Sequence, residues 1–329
     1  MFLDKYFPLY LFVFLLSLIV TAVIEKRLIP ALRAKAAQPI YSEGPAWHLK
    51  KSGTPTMGGV AFIIAVGISL LASAAFLYFA KEYEEALSIV ICALFATANA
   101  LVGLADDLTK LKRKQNAGLT PVQKLVFQAL IALMFILARR IFLSDTTVLS
   151  FSFGKIDIGG FYLPLSIIAI LGTVNCANLT DGIDGLASGV AFSIGTVLFY
   201  ISAALFSDVA IVASCMMGAA IGFLIFNIHP AKIFMGDTGS LFFGALAVSC
   251  VFSLGNPLIM LFVGGVYLIE GASVILQVIC FKLTKKRIFK MAPLHHHLEK
   301  SGMSETKICM LAIILTFLLS IPAFILYLP

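Results

Sequence analysis

The chain alternates between long apolar segments and short polar ones. Ten apolar segments of 16 to 24 residues carry almost no charge: Leu9–Ile24, Met57–Phe79, Ala86–Ala105, Leu125–Phe142, Leu163–Asn178, Leu186–Phe206, Val209–Phe226, Gly239–Leu254, Leu258–Phe281 and Ile308–Leu326. A bilayer core of ~30 Å is crossed by a helix of about 20 apolar residues. The alternating pattern of a membrane β-barrel is absent from these segments. The pattern therefore predicts an all-α polytopic membrane protein with about ten transmembrane helices.

Composition supports a membrane protein. Hydrophobic residues make up 60% of the chain and charged residues only 12%, about half of the roughly 25% typical of soluble domains. The six cysteines lie in or beside the predicted spans without metal-binding spacing, so we interpret them as apolar packing residues. No low-complexity linker divides the chain, which predicts a single membrane domain over residues 1–329.

The distribution of basic residues predicts the orientation of the helices. Of the 24 Lys and Arg residues, 19 fall in alternate loops on one side, chiefly residues 25–55, 106–124 and 282–307. Because basic loops stay in the cytoplasm, both termini are predicted outside. The net charge of +7 is explained by this orientation signal, so it requires no nucleic-acid partner. In the outer loop, the alternation across Val148–Phe153 before Gly154 suggests a short β-hairpin near 146–160, and a surface turn that only joins two helices is the simpler interpretation.

Five aspartates lie at span ends on the basic, cytoplasmic side: Asp106, Asp107, Asp181, Asp184 and Asp237. Ionisable groups at the membrane edge are costly and indicate function. Carboxylates beside lysines suit a hard cation such as Mg²⁺, which binds one or two carboxylates together with water and phosphate oxygens. We therefore expect the aspartates to meet in one pocket, with Lys50, Lys51, Lys110 and Lys124 as sources of positive charge for a diphosphate.

Three polar, glycine-containing turns face the same side: Gly53–Gly59, Asn178–Gly185 and Phe234–Ser240. The first is expected to offer backbone N–H groups at a helix start, and Asp184 is a candidate N-cap of the sixth span. A fourth segment carries His295, His296 and His297. Adjacent histidines do not share a helix face and lack zinc-ligand spacing, so contact with substrate or proton transfer is the favoured interpretation.

These motifs together resemble the phospho-N-acetylmuramoyl-pentapeptide transferase family, within the polyprenyl-phosphate N-acetylhexosamine-1-phosphate transferases. The resemblance extends along the whole chain, and the segments that carry it are Thr54–Gly59, Asp106-Asp107, Asn178–Gly185, Phe234–Ser240 and Pro293–Glu299. It implies transfer of phospho-MurNAc-pentapeptide from UDP-MurNAc-pentapeptide to undecaprenyl phosphate. The products would be lipid I and UMP, at the cytoplasmic face of the bacterial inner membrane, in the first membrane step of peptidoglycan synthesis.

The resemblance also implies roles for individual residues. Asp237 would be the main Mg²⁺ ligand, with Asp106 as a second ligand that deprotonates or orients the lipid phosphate. Asp107 and His296 would belong to the catalytic group, and Lys110 and Lys124 would lie near the phosphates. The nucleotide-sugar site would be lined by Lys51, Thr56, Asn178, Asp181, Asp184, Asn227, Phe234, Gln277, His295 and His297. A homodimer is a further family-level expectation.

Two other functions are open at this stage. A related transferase using UDP-N-acetylglucosamine or another UDP-sugar would share the aspartate motifs, although the Pro293–His297 segment resembles the muramoyl branch. A secondary transporter would place its polar residues near the bilayer midplane and in inverted repeats. The aspartates here lie at helix ends, and no matching halves are evident in the sequence.

Overall fold

The fold is a bundle of membrane-crossing helices. The computed structural model describes residues 2–33, 51, 53–113, 118–205 and 207–328. The helices are α1 (Phe2–Arg33), α2 (Gly59–Phe79), α3 (Tyr83–Arg113), α4 (Pro121–Phe142), α5 (Tyr162–Thr180), α6 (Leu186–Ala204), α7 (Val209–Asn227), α8 (Gly236–Ser253), α9 (Ile259–Val263), α10 (Gly265–Thr284), α11 (Leu294–Glu299) and α12 (Glu305–Tyr327). Within the described residues, ten of these are long and apolar enough to span a membrane. The prediction of an all-α polytopic membrane protein is confirmed.

The helices form an enclosed centre and an exposed periphery. Most residues of α6, α7 and α8 are buried, whereas a third or fewer of the residues in the apolar parts of α1, α4, α10 and α12 are. Exposed side chains such as Leu11, Leu130, Ile275 and Leu318 belong to these outer helices. In a bilayer such side chains face lipid, because lipid tails are as apolar as they are.

Glycines bring α2 and α3 close to the start of α8. A β-carbon on Gly103 of α3 would lie 2.3 Å from the carbonyl oxygen of Asp237, and one on Gly59 would lie 2.5 Å from the Cα of Gly239. Small residues permit such close helix packing in membranes. The contact fixes the distance between the last turns of α3 and the first turn of α8, which both carry predicted site residues.

Several helix ends differ from the predicted spans. The ninth span, predicted as one helix over Leu258–Phe281, is divided at Gly264 into α9 and α10. The Gly264-Gly265 pair is the reason, since glycine costs more backbone entropy in a helix than any other non-proline residue. α3 continues eight residues beyond the predicted end at Ala105 and includes Asp106, Asp107 and Lys110.

The predicted β-hairpin is confirmed and lies at the end of the bundle that holds both termini. Strands β1 (Val148–Phe151) and β2 (Gly154–Asp157) pair antiparallel. The backbone N–H of Ser152 donates to Leu326 at the end of α12 (2.8 Å). The hydroxyl of Tyr6 in α1 bonds to Glu82 in the turn between α2 and α3. The predicted catalytic aspartates lie at the opposite end of these helices.

Candidate active site

Two carboxylates and two lysines from three helices form a compact group, here called the acid–lysine cluster: Asp106, Lys110, Lys124 and Asp237. The Nζ of Lys110 lies 2.7 Å from Asp106 Oδ2 and 3.2 Å from Asp237 Oδ2. The Nζ of Lys124 lies 3.2 Å and 2.5 Å from the same two oxygens. Lys110 follows Asp106 by one helical turn, so these two members of the cluster lie side by side on α3.

Further hydrogen bonds orient the two carboxylates. The other oxygen of Asp106, Oδ1, accepts the backbone N–H of Leu119 at 2.7 Å. The amide of Asn178 donates to Asp237 Oδ1 at 3.1 Å and to the hydroxyl of Ser240 at 2.8 Å. The two carboxylates therefore keep fixed positions while one oxygen of each faces the lysines.

Asp107 has a different set of contacts from Asp106. It is buried and accepts the backbone N–H groups of Asp237 (3.2 Å) and Thr238 (2.9 Å) and the Thr238 hydroxyl (2.6 Å). These are unpaired donors at the start of α8, where a negative charge is favourable. In this structure Asp107 caps α8 from the neighbouring helix and thereby positions Asp237.

The acid–lysine cluster and Asp107 fit a divalent cation. One oxygen from each of Asp106, Asp107 and Asp237 lies within 4.8 Å of the others. Because Asp107 is occupied by α8, Asp237 and Asp106 are the carboxylates available as ligands, and Mg²⁺ commonly takes only one or two. Three carboxylates against two lysines also leave one net negative charge for a cation to balance.

The Asp181–Gly185 turn lies beside the acid–lysine cluster. Burial, together with the nearby negative charges of Asp237, Asp107 and Asp184, raises the pKa of Asp181 to about 8. A cation bound nearby would lower this pKa, because it favours the charged carboxylate. The pKa of Asp181 in this turn therefore depends on the charge of the acid–lysine cluster.

His295 packs against the same turn. Its ring nitrogen Nδ1 lies 3.2 Å from the carboxylate of Glu270, which also accepts the His295 backbone N–H. The other nitrogen, Nε2, is buried without a hydrogen-bond partner in the described part of the chain. Glu270 favours a proton on Nδ1, and the ring is directed so that Nε2 lies against Gly182.

A substitution at Gly182 tests this packing. A β-carbon there would lie 2.1 Å from His295 Nε2, so we expect Gly182→Ala to destabilise the protein by about 1–3 kcal/mol, as overpacking does. The matched control is Gly172→Ala, because a β-carbon at Gly172 has no neighbour within 4 Å. Thermal unfolding in detergent would show a lowered midpoint for the first variant only. Equal midpoints would contradict the predicted contact.

The other two histidines have separate partners. His296 Nδ1 lies 2.7 Å from Glu299 Oε2, and His297 Nδ1 accepts the backbone N–H of Lys290 at 3.0 Å. Gln277 of α10 accepts the backbone N–H groups of Ile288 and Phe289. Gln277 and His297 together hold the segment that leads into α11, which carries the three histidines.

A second charged group, here called the Lys51 network, comprises Lys51, Asp184, His229 and Glu305. The Nζ of Lys51 lies 2.7 Å from Asp184 Oδ1 and 2.6 Å from Glu305 Oε2. Asp184 Oδ2 lies 2.9 Å from His229 Nδ1. The prediction that Asp184 caps the sixth span is wrong: Gly185 is the N-cap of α6, without a side-chain cap, because Asp184 is committed to these ion pairs. Lys50, the alternative to Lys51, lies outside the described residues.

Three further predicted residues lie in the loops and helix ends that carry these groups. Thr56 and Asn227 are buried, and Phe234 is half-buried. Asn227 accepts the Gly185 N–H (3.1 Å) and the Ser188 hydroxyl (2.9 Å), so it holds the Asp181–Gly185 turn on α7.

The Gly53–Gly59 turn does not offer a free anion site at the start of α2. The backbone N–H groups of Gly58 and Gly59 donate to the carbonyls of Phe234 and Met235, at 2.9 and 3.0 Å. That part of the prediction is wrong, because the turn uses these donors to join the loop before α8. The same bonds bring Thr56 beside Gly236.

Three charged or titratable site residues were not assigned a role from the sequence: His229, Glu270 and Glu305. Glu270 had a signal, since it is an isolated carboxylate inside an apolar span. Glu305 and His229 had none, because an acid at a helix start and a histidine in a loop are ordinary features. Their importance comes from partners more than 40 positions away in the chain.

Comparison with known proteins identifies the family. Residues 87–255 match the model of glycosyl transferase family 4, and residues 51–63 match signature 1 of phospho-N-acetylmuramoyl-pentapeptide-transferase. The enzyme of that name from Halalkalibacterium halodurans is 42% identical over 297 residues, which is 89% of this chain and 90% of the relative. The chain belongs to the phospho-N-acetylmuramoyl-pentapeptide transferase family. The family enzyme from Bacillus subtilis is 41% identical over 309 residues, covering 91% of both chains.

The family assignment coincides with the geometry. The match to the transferase family 4 model contains Asp106, Asp237 and the Asp181–Gly185 turn, and the shorter signature begins at Lys51. The phosphoglycosyl transferase family therefore covers both the acid–lysine cluster and the lysine of the second charged group. The chain is accordingly a phosphoglycosyl transferase of the membrane.

Proposed function

We propose that the protein transfers phospho-MurNAc-pentapeptide from UDP-MurNAc-pentapeptide to undecaprenyl phosphate, giving lipid I and UMP. The family membership supports the reaction. The single structural observation that carries it is the acid–lysine cluster, in which Lys110 and Lys124 each bridge Asp106 and Asp237 within 3.2 Å. Such a group of opposite charges at the end of membrane helices suits the binding of phosphates.

Asp237 and Asp106 would hold Mg²⁺ in this reaction. When bound, the ion would neutralise charge on the pyrophosphate and stabilise the leaving phosphate of UMP. Asn178 keeps Asp237 oriented. Lys110 and Lys124, which pair with the two carboxylates in this structure, would also form ion pairs with the phosphate oxygens. Asp106 would orient the lipid phosphate or accept its proton.

The chemical step needs placement more than activation. An oxygen of the lipid phosphate attacks the phosphorus that carries the sugar, the bond from that phosphorus to the bridging oxygen breaks, and UMP leaves with that oxygen. A phosphate monoester is anionic near neutral pH and already nucleophilic. Alignment and charge neutralisation therefore supply most of the catalysis, and we propose direct attack without an enzyme-bound intermediate.

The nucleotide-sugar would occupy the space around the Asp181–Gly185 turn. Asp181, Thr56 and the half-buried ring of Phe234 would contact it directly, with Phe234 as a stacking surface for the uracil. Asn227 and Gln277 would act by holding the walls, since their amides bind backbone groups. The histidine segment would close the side formed by α11, and from the family resemblance His296 would take part in the chemistry.

The proposed location is the bacterial inner membrane, with the site on the cytoplasmic face and both termini outside. The basic residues support this orientation, because the sequence pattern assigns 19 of the 24 to the loops predicted on the cytoplasmic side, where Asp106 and Asp237 are also predicted. A homodimer is proposed from the family resemblance alone.

The choice of sugar donor is the test of the function. Purified protein would be given undecaprenyl phosphate with radiolabelled UDP-MurNAc-pentapeptide or, separately, UDP-N-acetylglucosamine. We expect lipid-extractable label only from the first donor, as the muramoyl signature at residues 51–63 favours. Label from the second donor alone would assign the protein to the related branch, and label from neither would contradict the proposed reaction.

A further inference from the structure

Glu305 joins two parts of the proposed nucleotide-sugar site. Its Oε2 lies 2.6 Å from Lys51 Nζ and also accepts the backbone N–H of Asp184 at 2.8 Å. The side chain is only 11% exposed. A carboxylate that receives an ammonium and a backbone donor on the same oxygen, away from bulk water, makes charge-assisted hydrogen bonds of the stronger kind.

Glu305 supplies one of the two carboxylates that pair with Lys51 in the Lys51 network. Lys51 is held by two carboxylates, Asp184 and Glu305. Asp184 uses its second oxygen for His229 Nδ1 and for the Ala231 N–H at 3.0 Å. The first turn of α12 is thereby tied to three segments: the Lys51 end of the first loop, the Asp181–Gly185 turn and the loop before α8.

We infer that Glu305 is a positioning residue for the nucleotide-sugar, which acts by fixing Lys51 and the Asp181–Gly185 turn in their binding geometry. This inference rests on the proposed function. The contacts of Glu305 among the described residues do not include the acid–lysine cluster. Its loss should therefore weaken binding of the donor and leave the chemical step almost unchanged.

A simpler role would be stabilisation of α12. A negative charge in the first turn of a helix is favourable in itself, and Glu305 is in that turn. Glu305→Asp separates the two roles. Aspartate keeps the charge at the helix start, but it is one methylene shorter and cannot reach both Lys51 Nζ and the Asp184 N–H.

The experiment measures kcat and KM for UDP-MurNAc-pentapeptide at saturating undecaprenyl phosphate. We expect Glu305→Gln and Glu305→Asp to raise KM about tenfold, the scale of a lost hydrogen bond to a charged group, with kcat within about twofold of the unmodified protein. The matched control, Glu84→Gln, changes an exposed acid in the first turn of α3 at the far end of the bundle and should leave both constants unchanged. The inference would be overturned by an unchanged KM in Glu305→Gln, or by a KM in Glu305→Asp equal to that of the unmodified protein.

A double-mutant cycle with Lys51→Met gives an independent readout. If Glu305 acts through Lys51, Glu305→Gln should raise KM less in the Lys51→Met background than in the unmodified protein. If the KM of the double variant is raised by the product of the two single-variant factors, the two residues act independently and the coupling is overturned. If Glu305→Gln does not fold, Glu305→Asp carries the test. An unmodified protein without transfer activity would refute the proposed function, whereas an active one with indifferent Glu305 variants would refute only the positioning role.

Discussion

Asp237→Asn is expected to abolish phospho-sugar transfer while the protein remains folded. Asparagine has the shape of aspartate but lacks the charge that faces Lys110 and Lys124 and that we propose holds the cation. We expect turnover to fall by about a thousandfold or more, because preorganised electrostatic groups at the reacting phosphate dominate such catalysis. The fold should survive, since the start of α8 is held by Asp107 through backbone N–H groups that the substitution leaves in place.

The measurement is the rate of lipid-linked product formation beside thermal unfolding in the same detergent. Asp157→Asn is the matched control, because it makes the same chemical change on the exposed β2 strand at the other end of the bundle. A folded Asp237→Asn variant with near-normal turnover would remove Asp237 as the metal ligand. An inactive variant that is also unfolded would leave the loss assigned to stability, and Asp106→Asn would then test the ligand pair.

Removal of Mg²⁺ is expected to stop the reaction completely and reversibly. Without a divalent ion, the donor pyrophosphate and the lipid phosphate would meet next to carboxylates with only Lys110 and Lys124 to balance them. Added Mg²⁺ should restore the rate, since the proposed ligands belong to helices α3 and α8 and need no refolding. The measurement is product formation after exhaustive chelation and after titration with Mg²⁺.

The control for chelation is the thermal unfolding midpoint, which should change little when the ion is removed. Asp237→Asn should also require far more Mg²⁺ for any residual activity. Undiminished product after exhaustive chelation would exclude metal dependence. A rate that stays at zero after Mg²⁺ is restored would point to damage by the chelator instead.

The sequence predicted the helices well because membrane helices depend mainly on apolar length. It also predicted that Asp106 and Asp237 lie on one side, and the structure brings their oxygens within 4.8 Å. The extent of α3 was missed, because hydropathy falls after Ala105 while backbone hydrogen bonds continue to Arg113. The spacing of Asp106 and Lys110, one helical turn apart, was the available signal.

The partners of single side chains were beyond the sequence. Lys51 pairs with Asp184 across 133 positions and with Glu305 across 254. Nothing local distinguishes an aspartate that binds a lysine from one that caps a helix, so Asp184 was assigned the wrong local role. Such pairings are decided by how the helices pack, and a single sequence records only the side of the membrane on which each residue lies.

The cap that Asp107 places on α8 affects how variants of the two adjacent aspartates should be interpreted. A neutral residue at 107 would release the backbone that carries Asp237, and the enzyme would lose activity even if Asp107 never met a substrate. Loss of turnover at this position is therefore expected from the structural role of Asp107 alone, without any contact with substrate. Compounds aimed at the site could displace the lysines, but the carboxylate of Asp107, already committed to protein donors, offers them little to bind.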